Sequence, residues 1–420
     1  MSGRLLVFGV SHHAAPLEVR ERLAIDESMW RAHAPRQPAT VLLSTCNRVE
    51  VYAWIEGRTQ SARRTLLRAL SRATDVDSTE LEQYGVSRSG REALLHLVRV
   101  ASGLDSMLVG EEQIRGQVRE ALRLAEESED LPTSLRGVFQ RAIESARRVR
   151  GSTRLGKAPS IAAAGVGVAR RALPTDVSGQ LAVVLGAGVM ARAAAEALLA
   201  AGAHVRVLNR TAEHAMRVMH QLRGAIEIGT LDALPEVLAS AALVVGATAA
   251  RSTLVDYAAV AAVVRSRCAP LVLLDIALPR DVDPRVRELG GVSLIDLDDL
   301  ERLCPVDAQT RSVERERAEE LACQEAQRLA DWLRTRAQAP AIAELRTYAE
   351  AVRLSELRRS ATRLRDLTPE QIAAVEALTT SIVNKLMHGP TVALRDASVE
   401  RSRAHILRVL RPRTSRGRSA

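Results

Sequence analysis

Cys46 stands in the segment Ser44-Thr45-Cys46-Asn47-Arg48, a polar turn between two apolar runs. A thiolate is a strong nucleophile, and a thiol held in a polar turn is placed to react. A cysteine kept for packing sits among hydrophobes, as Cys323 does on its helix. Thr45, Asn47 and Arg48 could lower the thiol pKa and hydrogen-bond a substrate. On these residues alone, nucleophile and packing residue both stand. His96 lies beside Leu94, Leu95 and Leu97, where it is either a packed imidazole or a general acid or base. His12 and His13 are adjacent, but no third ligand falls at helpful spacing. A loop role is expected for them, and no metal.

A second chemical site begins at Gly186-Ala187-Gly188-Val189-Met190-Ala191. It follows the apolar strand LAVVL and opens an Ala-rich helix, as a dinucleotide fingerprint requires. Gly186 makes the tight turn, and Gly188 lets the backbone approach a pyrophosphate at the helix N-terminus. Ala191 takes the third glycine's place. The next strand ends in Asn209-Arg210-Thr211. An NAD site usually carries Asp or Glu there for the ribose 2′-hydroxyl. Here Arg210 can pair with a 2′-phosphate, and Asn209 and Thr211 can donate to it. The expected cofactor is NADP(H).

These groups need a scaffold of several domains, because 420 residues exceed one ordinary core. Residues 1–155 mix strands and helices. Residues 5–10, 41–44 and 49–55 read as strands, and apolar spacing from 90 to 127 gives at least two helices, followed by another near 135–150. Gly156, Pro159 and Ser160 mark a joint. In 156–305, LAVVL, HVRVLN, LVVGAT, LVLLDIA and VSLIDL alternate with helical stretches, which implies a parallel, doubly wound sheet. From 306 to 420 the strands stop. A long helix with Ala318, Leu321, Ala322, Ala326, Leu329 and Leu333 on one stripe runs to Pro340, where an interruption is expected. Helices at 341–365 and 369–387 follow, a pattern that suits a dimerisation module. The final RPRTSRGRSA reads as a basic, disordered tail.

The bulk composition narrows the class. Hydrophobic residues make up 47% and charged residues 26%, as in a soluble globular protein. Aromatics are 2%, so stacking platforms for bases are scarce. The formal charge of +9 fits either solvated arginine-rich faces or a polyanionic partner. Cys46, Cys268, Cys304 and Cys323 show no metal-ligand spacing. The N-terminal apolar run is too short for a signal peptide, and no stretch reaches the ~20 apolar residues of a membrane span. A cytoplasmic protein is expected.

Several segments resemble the glutamyl-tRNA reductase family in order and spacing: FGVSHHAAPLEVRERLA, STCNRVEVYA, HLVRVASGLDSMLVGEEQIRGQV, VLGAGVMA with LNRT, DIALPRDVDP, IDLDDL and SIVNKLMHGP. Ala191 and Glu112 depart from the family's common Gly and Pro. The resemblance implies three domains: an N-terminal α+β catalytic domain at 1–155, a Rossmann-like NADP domain at 156–305, and an all-helical dimerisation domain at 306–420 with a long connecting helix. It implies NADPH-dependent reduction of the glutamyl ester of glutamyl-tRNA to glutamate-1-semialdehyde through a Cys46 thioester, in tetrapyrrole biosynthesis. His96 would be catalytic, and Arg48 would clamp the glutamyl carboxylate, with Thr45 and Asn47 adding hydrogen bonds. Ser106, Glu111, Glu112, Gln113 and Gln117 would line the substrate site. A homodimer and a glutamate-1-semialdehyde aminomutase are the implied protein partners. The alternatives are a shikimate dehydrogenase-like oxidoreductase, which would not need Cys46, and a non-catalytic tRNA- or partner-binding protein, which would not need an intact glycine turn.

Overall fold

A computed structural model of the chain describes residues 3–35, 38–111, 113–127, 130–153, 160–220, 222, 224, 226–250, 252–303 and 308–396. Glu112, Gly156, Pro159, Cys304 and the basic tail lie outside the described residues. The chain divides into two compact units, at 1–329 and 330–420.

The first unit holds two sheets. Strands β1 (Arg4–Ser11), β2 (Thr40–Ser44), β3 (Arg48–Ile55) and β4 (Val86–Ser89) form an antiparallel sheet in the order β2-β3-β1-β4. The central pair β1 and β3 is buried nearly throughout. Leu6, Phe8 and Val51 pack with Leu66 and Leu70 of the helix Thr59–Ala73. Tyr52 points the other way and meets Phe139 of the helix Thr133–Gly151 edge-on, with ring centroids 5.3 Å apart. Helices on both faces explain why β1 reads as a continuous apolar run, whereas 49–55 reads as alternating. β4 escapes a sequence reading because VSRS is short, polar and at the sheet edge.

The second sheet has six parallel strands: β5 (Leu181–Leu185), β6 (His204–Asn209), β7 (Ile226–Thr230), β8 (Leu243–Gly246), β9 (Leu271–Asp275) and β10 (Val292–Ile295). Their order, β10-β9-β8-β5-β6-β7, is the doubly wound dinucleotide-binding arrangement. The order reverses at β5, so the crevice beyond the carboxyl ends of β5 and β8 is where such sheets bind ligands. β7 was not expected. It is an edge strand, only half-buried, and its apolar signal is two isoleucines. Ser160 caps the helix Ile161–Ala172 by accepting from Ala163 N at 3.1 Å.

The expected break at Pro340 does not occur. One helix, Ala308–Leu364, runs 57 residues with Pro340 inside it. Proline's φ already suits a helix, and the turn that faces its missing N–H, at Arg336, is exposed, where water can reach the backbone. The helix Pro369–Asp396 likewise runs past Gly389 and Pro390, beyond the end expected at 387. Ala318, Ala322, Ala326 and Leu329 are buried as their stripe requires, whereas Cys323 is exposed, one position off that stripe. In the second unit Leu378, Ile382 and Leu386 are exposed at four-residue spacing, an apolar stripe on one helix face. Among the described residues, no helix is long and apolar enough to cross a membrane.

Candidate active site

The hairpin between β2 and β3 presents Cys46 and Asn47 at its tip. Thr45 N donates to Arg48 O at 2.8 Å, closing the turn. Asn47 N and Arg48 N both donate to Thr45 Oγ1, at 3.2 and 3.3 Å. Thr45 therefore shapes the turn with its hydroxyl as well as lining the cleft beside it. Arg20, buried on the helix Leu17–Leu23, donates from Nη1 to Cys46 O at 2.9 Å and from Nη2 to Asp298 of the nucleotide-binding lobe. The reactive turn is thus held by an arginine that is itself anchored across the seam between the lobes.

That seam opens into a cleft of about 1000 Å³. Thr45, Cys46, Glu111, Gln113 and Gln117 line one side, and Met190, Ala247 and Thr248 line the other. Cys46 also packs against the core of the nucleotide-binding lobe, with Met190 and Leu278. The 140 residues between Cys46 and Gly186 in sequence are closed by the fold. Thr248 is fixed by Asp281, which accepts from its N–H at 2.8 Å and from its hydroxyl at 2.5 Å. Asp281 is in turn packed near Asp275, whose carboxyl burial and the Asp281 charge push up to about 7.

Two expectations about the thiol change. Burial, with the nearby Glu111 charge second, pushes the Cys46 thiol up to about 12, and Arg20 and Arg48 offset this only in part. The turn residues therefore do not activate the thiol at rest. Arg48, the cation two residues away, is fully buried and already engaged. Nη1 donates to Glu50 Oε1 at 3.1 Å and to Asp105 Oδ2 at 2.8 Å, and Nη2 donates to the Asp105 carbonyl. Only Nε lacks a partner. His96 belongs to the same buried network. Its Nε2 lies 2.8 Å from Glu50 Oε1, and Tyr52 donates to Glu50 Oε2 at 2.5 Å. Arg48, His96 and Ser106 are buried and do not line the cleft. Asn47 is buried as well and does not line the cleft.

Among the titratable groups that line the cleft, Glu111 is the one whose negative charge acts on the sulfur. Its residue is buried, and burial raises its carboxyl to about 7 although Arg48 and Arg150 pull it down. Arg150 fixes the loop that carries it, donating from Nη1 to Gly110 O at 2.9 Å and to Glu111 O at 2.7 Å. Sequence reasoning missed Arg20, Glu50, Asp105, Arg150, Thr248 and Asp281. Arg20 and Asp281 fall in the quoted segments APLEVRERLA and ALPRDVDP, so the signal was present without an assigned role.

The glycine-rich turn fits a dinucleotide. Gly186 has φ +106°, and a Cβ there would lie 2.7 Å from Ala247 O, so no other residue fits. A Cβ on Gly188 would meet nothing within 4 Å, which leaves open space for a ligand at the start of the helix Val189–Ala200. The helix's first N–H groups have no side-chain cap, and a phosphate can take them. Ala187 and Ala191 are buried, Ala191 fully, while Val189 is 63% exposed beside the open space. At the end of β6, Asn209 Nδ2 donates to Thr211 O at 2.9 Å, and Arg210 and Thr211 are exposed.

Comparison with known proteins now bears on this arrangement. A relative from Rubrobacter xylanophilus, named glutamyl-tRNA reductase, is 40% identical over 398 residues, covering 92% of this chain and 90% of that one. The chain belongs to the glutamyl-tRNA reductase family. A Synechococcus relative of the same name is 34% identical, with 97% and 96% covered. The glutamyl-tRNA reductase structure from Methanopyrus kandleri is 31% identical over 97% of this chain and 98% of that one, with a TM-score of 0.48. Family models match in three blocks: the glutamyl-tRNA(Glu) reductase N-terminal domain at 8–153, shikimate/quinate 5-dehydrogenase at 167–303, and the glutamyl-tRNA(Glu) reductase dimerisation domain at 317–412. The dehydrogenase likeness is confined to the central block, and the flanking blocks carry the family. The central lobe takes a nicotinamide dinucleotide.

Proposed function

We propose that this protein reduces the glutamyl ester of glutamyl-tRNA to glutamate-1-semialdehyde, the first step of the five-carbon route to 5-aminolevulinate and tetrapyrroles, with NADPH as reductant. The observation that carries this reading is the shared cleft: Cys46 and the residues around the glycine-rich turn line one space. An aminoacyl ester is already activated, so no nucleotide triphosphate is needed. The Cys46 sulfur attacks the ester carbonyl, the ester C–O bond breaks, and the tRNA hydroxyl leaves with a proton, giving a thioester. A nicotinamide dinucleotide held by the glycine-rich turn would supply the hydride for that acyl carbon, and the Cys46 sulfur then leaves as the C–S bond breaks, regaining its proton as the aldehyde is released.

The protein's own groups divide the remaining work. Glu111, beside the sulfur, takes the thiol proton as the C–S bond forms. Neutralising Glu111 also removes the anion that holds the thiol pKa up, so the two changes help each other. His96 acts at one remove, orienting Glu50 and through it Arg48. Arg48 reads the glutamyl carboxylate, which replaces Asp105 on its fork and keeps the buried guanidinium paired. Thr45, Gln113 and Gln117 line the cleft and complete the substrate site, with the buried Asn47 and Ser106, and Glu112, in support. At the other end of the cleft, Gly186, Ala187, Gly188, Val189, Met190 and Ala191 hold the pyrophosphate side of the cofactor.

Incubation with glutamyl-tRNA and NADPH should yield semialdehyde, detected by trapping the aldehyde. Intact glutamyl-tRNA after many expected turnovers would sink the proposal. The preference for NADPH rests on Arg210, which is exposed at the end of β6 where no carboxylate stands. Replacing Arg210 by Ala should raise the Kd for NADPH about tenfold or more, with the Kd for NADH nearly unchanged. Equal losses for both cofactors would remove the 2′-phosphate role. The exposed stripe of Leu378, Ile382 and Leu386, in the block matched by the dimerisation model, supports a homodimer. The product is a reactive α-amino aldehyde, which favours direct transfer to glutamate-1-semialdehyde aminomutase. We place the reaction in the cytoplasm, where aminoacyl-tRNA and NADPH are both at hand.

A further inference from the structure

Sequence spacing offered His12 and His13 no third metal ligand, but the fold supplies one. Glu301, on the helix Leu297–Leu303 of the nucleotide-binding lobe, brings a carboxylate oxygen to them. Ligand atoms of His12, His13 and Glu301 all lie within 4.8 Å of one another. Around a tetrahedral ion with bonds of about 2.1 Å, ligand atoms stand about 3.4 Å apart. A side-chain adjustment of about an ångström closes that gap, and His13 and Glu301 are exposed and able to make it.

His12 is the independent pointer. It is 8% exposed, yet neither ring nitrogen has a hydrogen-bond partner. The Asn47 carbonyl, which accepts the His12 backbone N–H at 2.8 Å, lies near the ring but outside good hydrogen-bond geometry for it. A buried imidazole without partners leaves its desolvation cost uncompensated, and a bound cation would offset it. The imidazoles of His12 and His13 lie together, with ring centroids 3.9 Å apart. Nε2 of His13 also faces Asp105 Oδ1 at 3.8 Å, the kind of carboxylate that orients a ligating histidine. Two arginines near His12 would repel a cation, but both are paired: Arg20 with Asp298, and Arg48 with Glu50 and Asp105.

We propose that His12, His13 and Glu301 form a binding site for a divalent transition cation of the zinc type, at the seam between the catalytic and nucleotide-binding lobes. Two imidazoles and a carboxylate suit such an ion, and the exposed side leaves a position for water. The site is separate from the cleft, and the bound ion would tie the loop after β1 to the helix Leu297–Leu303. It does not depend on the proposed reaction.

The test uses Zn²⁺ and Co²⁺ as probes on the full-length chain. Calorimetric titration with Zn²⁺ should show one equivalent bound, and His13→Ala and Glu301→Ala should each weaken binding about tenfold or more. Both residues are exposed, so both variants should fold with unchanged circular dichroism. Arg302→Ala, next to Glu301, should bind like the wild type. Co²⁺ should give a visible d–d spectrum without a thiolate charge-transfer band, and the spectrum should be lost in both variants. No Zn²⁺ binding up to millimolar concentration, binding unchanged in both variants, or a thiolate band that survives them would each overturn the proposal. The last outcome would assign the metal to cysteine instead.

Discussion

Replacing Cys46 by Ser should lower semialdehyde formation by at least ~10³-fold, while glutamyl-tRNA and NADPH still bind. The oxygen is smaller than sulfur, so packing against the core of the nucleotide-binding lobe changes little and the melting temperature should hold. Nucleophilicity is what is lost. A serine hydroxyl ionises several pH units above a thiol, and an oxygen ester at this position would be no better a hydride acceptor than the substrate itself. With labelled glutamyl-tRNA and no NADPH, the wild type should carry label on the protein and release glutamate slowly by hydrolysis. The variant should do neither. Comparable turnover in both would show that the chemistry does not pass through this residue.

Glu111→Gln should cost about 10²–10⁴-fold in kcat/KM and remove the acidic limb of the pH profile. The sign follows from the role. A base must be ionised to accept the thiol proton, so wild-type kcat/KM should rise as Glu111 loses its proton, near pH 7, and level off above. Gln has no such ionisation, and its profile should be flat through that range. A second readout separates this from simple damage to the substrate site. Removing the anion lowers the Cys46 pKa from about 12, so alkylation by iodoacetamide should titrate at lower pH in the variant than in the wild type. A variant that reacts more slowly with glutamyl-tRNA but faster with iodoacetamide is the expected combination. An unchanged acidic limb would shift the base role away from Glu111. The same group affects folding. Its carboxyl titrates higher in the folded chain than the ordinary 4.5, so its contribution is full below about pH 4.5 and lost as pH rises through about 7.

What the sequence made legible was whatever depends on near neighbours. GAGVMA after LAVVL announced a turn, a helix and a phosphate site, because each of those is set by a few consecutive residues. The hairpin tip at Cys46 and the parallel sheet followed from runs and breaks. β7 was lost because an edge strand needs few hydrophobes. Pro340 misled because proline's local rule is strict only where the freed carbonyl is buried. The electrostatics at the thiol were out of reach. Arg48 looked like an activating cation two residues from Cys46, but Asp105 and Glu50 claim it, and only the fold brings Asp105 there. Glu111 looked like a substrate ligand. Its raised carboxyl comes from burial, which no spacing of letters encodes. His12 and His13 had no third partner within sight, since Glu301 arrives on a different lobe.

Arg20 has a consequence for how this chain can change. It grips the Cys46 carbonyl with one nitrogen and Asp298 with the other. The nucleophile's position is therefore written partly in the nucleotide-binding lobe, beyond the matched sheet. A central domain borrowed from another dehydrogenase could bind its cofactor well and still leave the cysteine misplaced unless an acid came with it at position 298. The two lobes are not interchangeable parts joined by a linker. At this contact a change in one lobe is passed to the other through a single guanidinium.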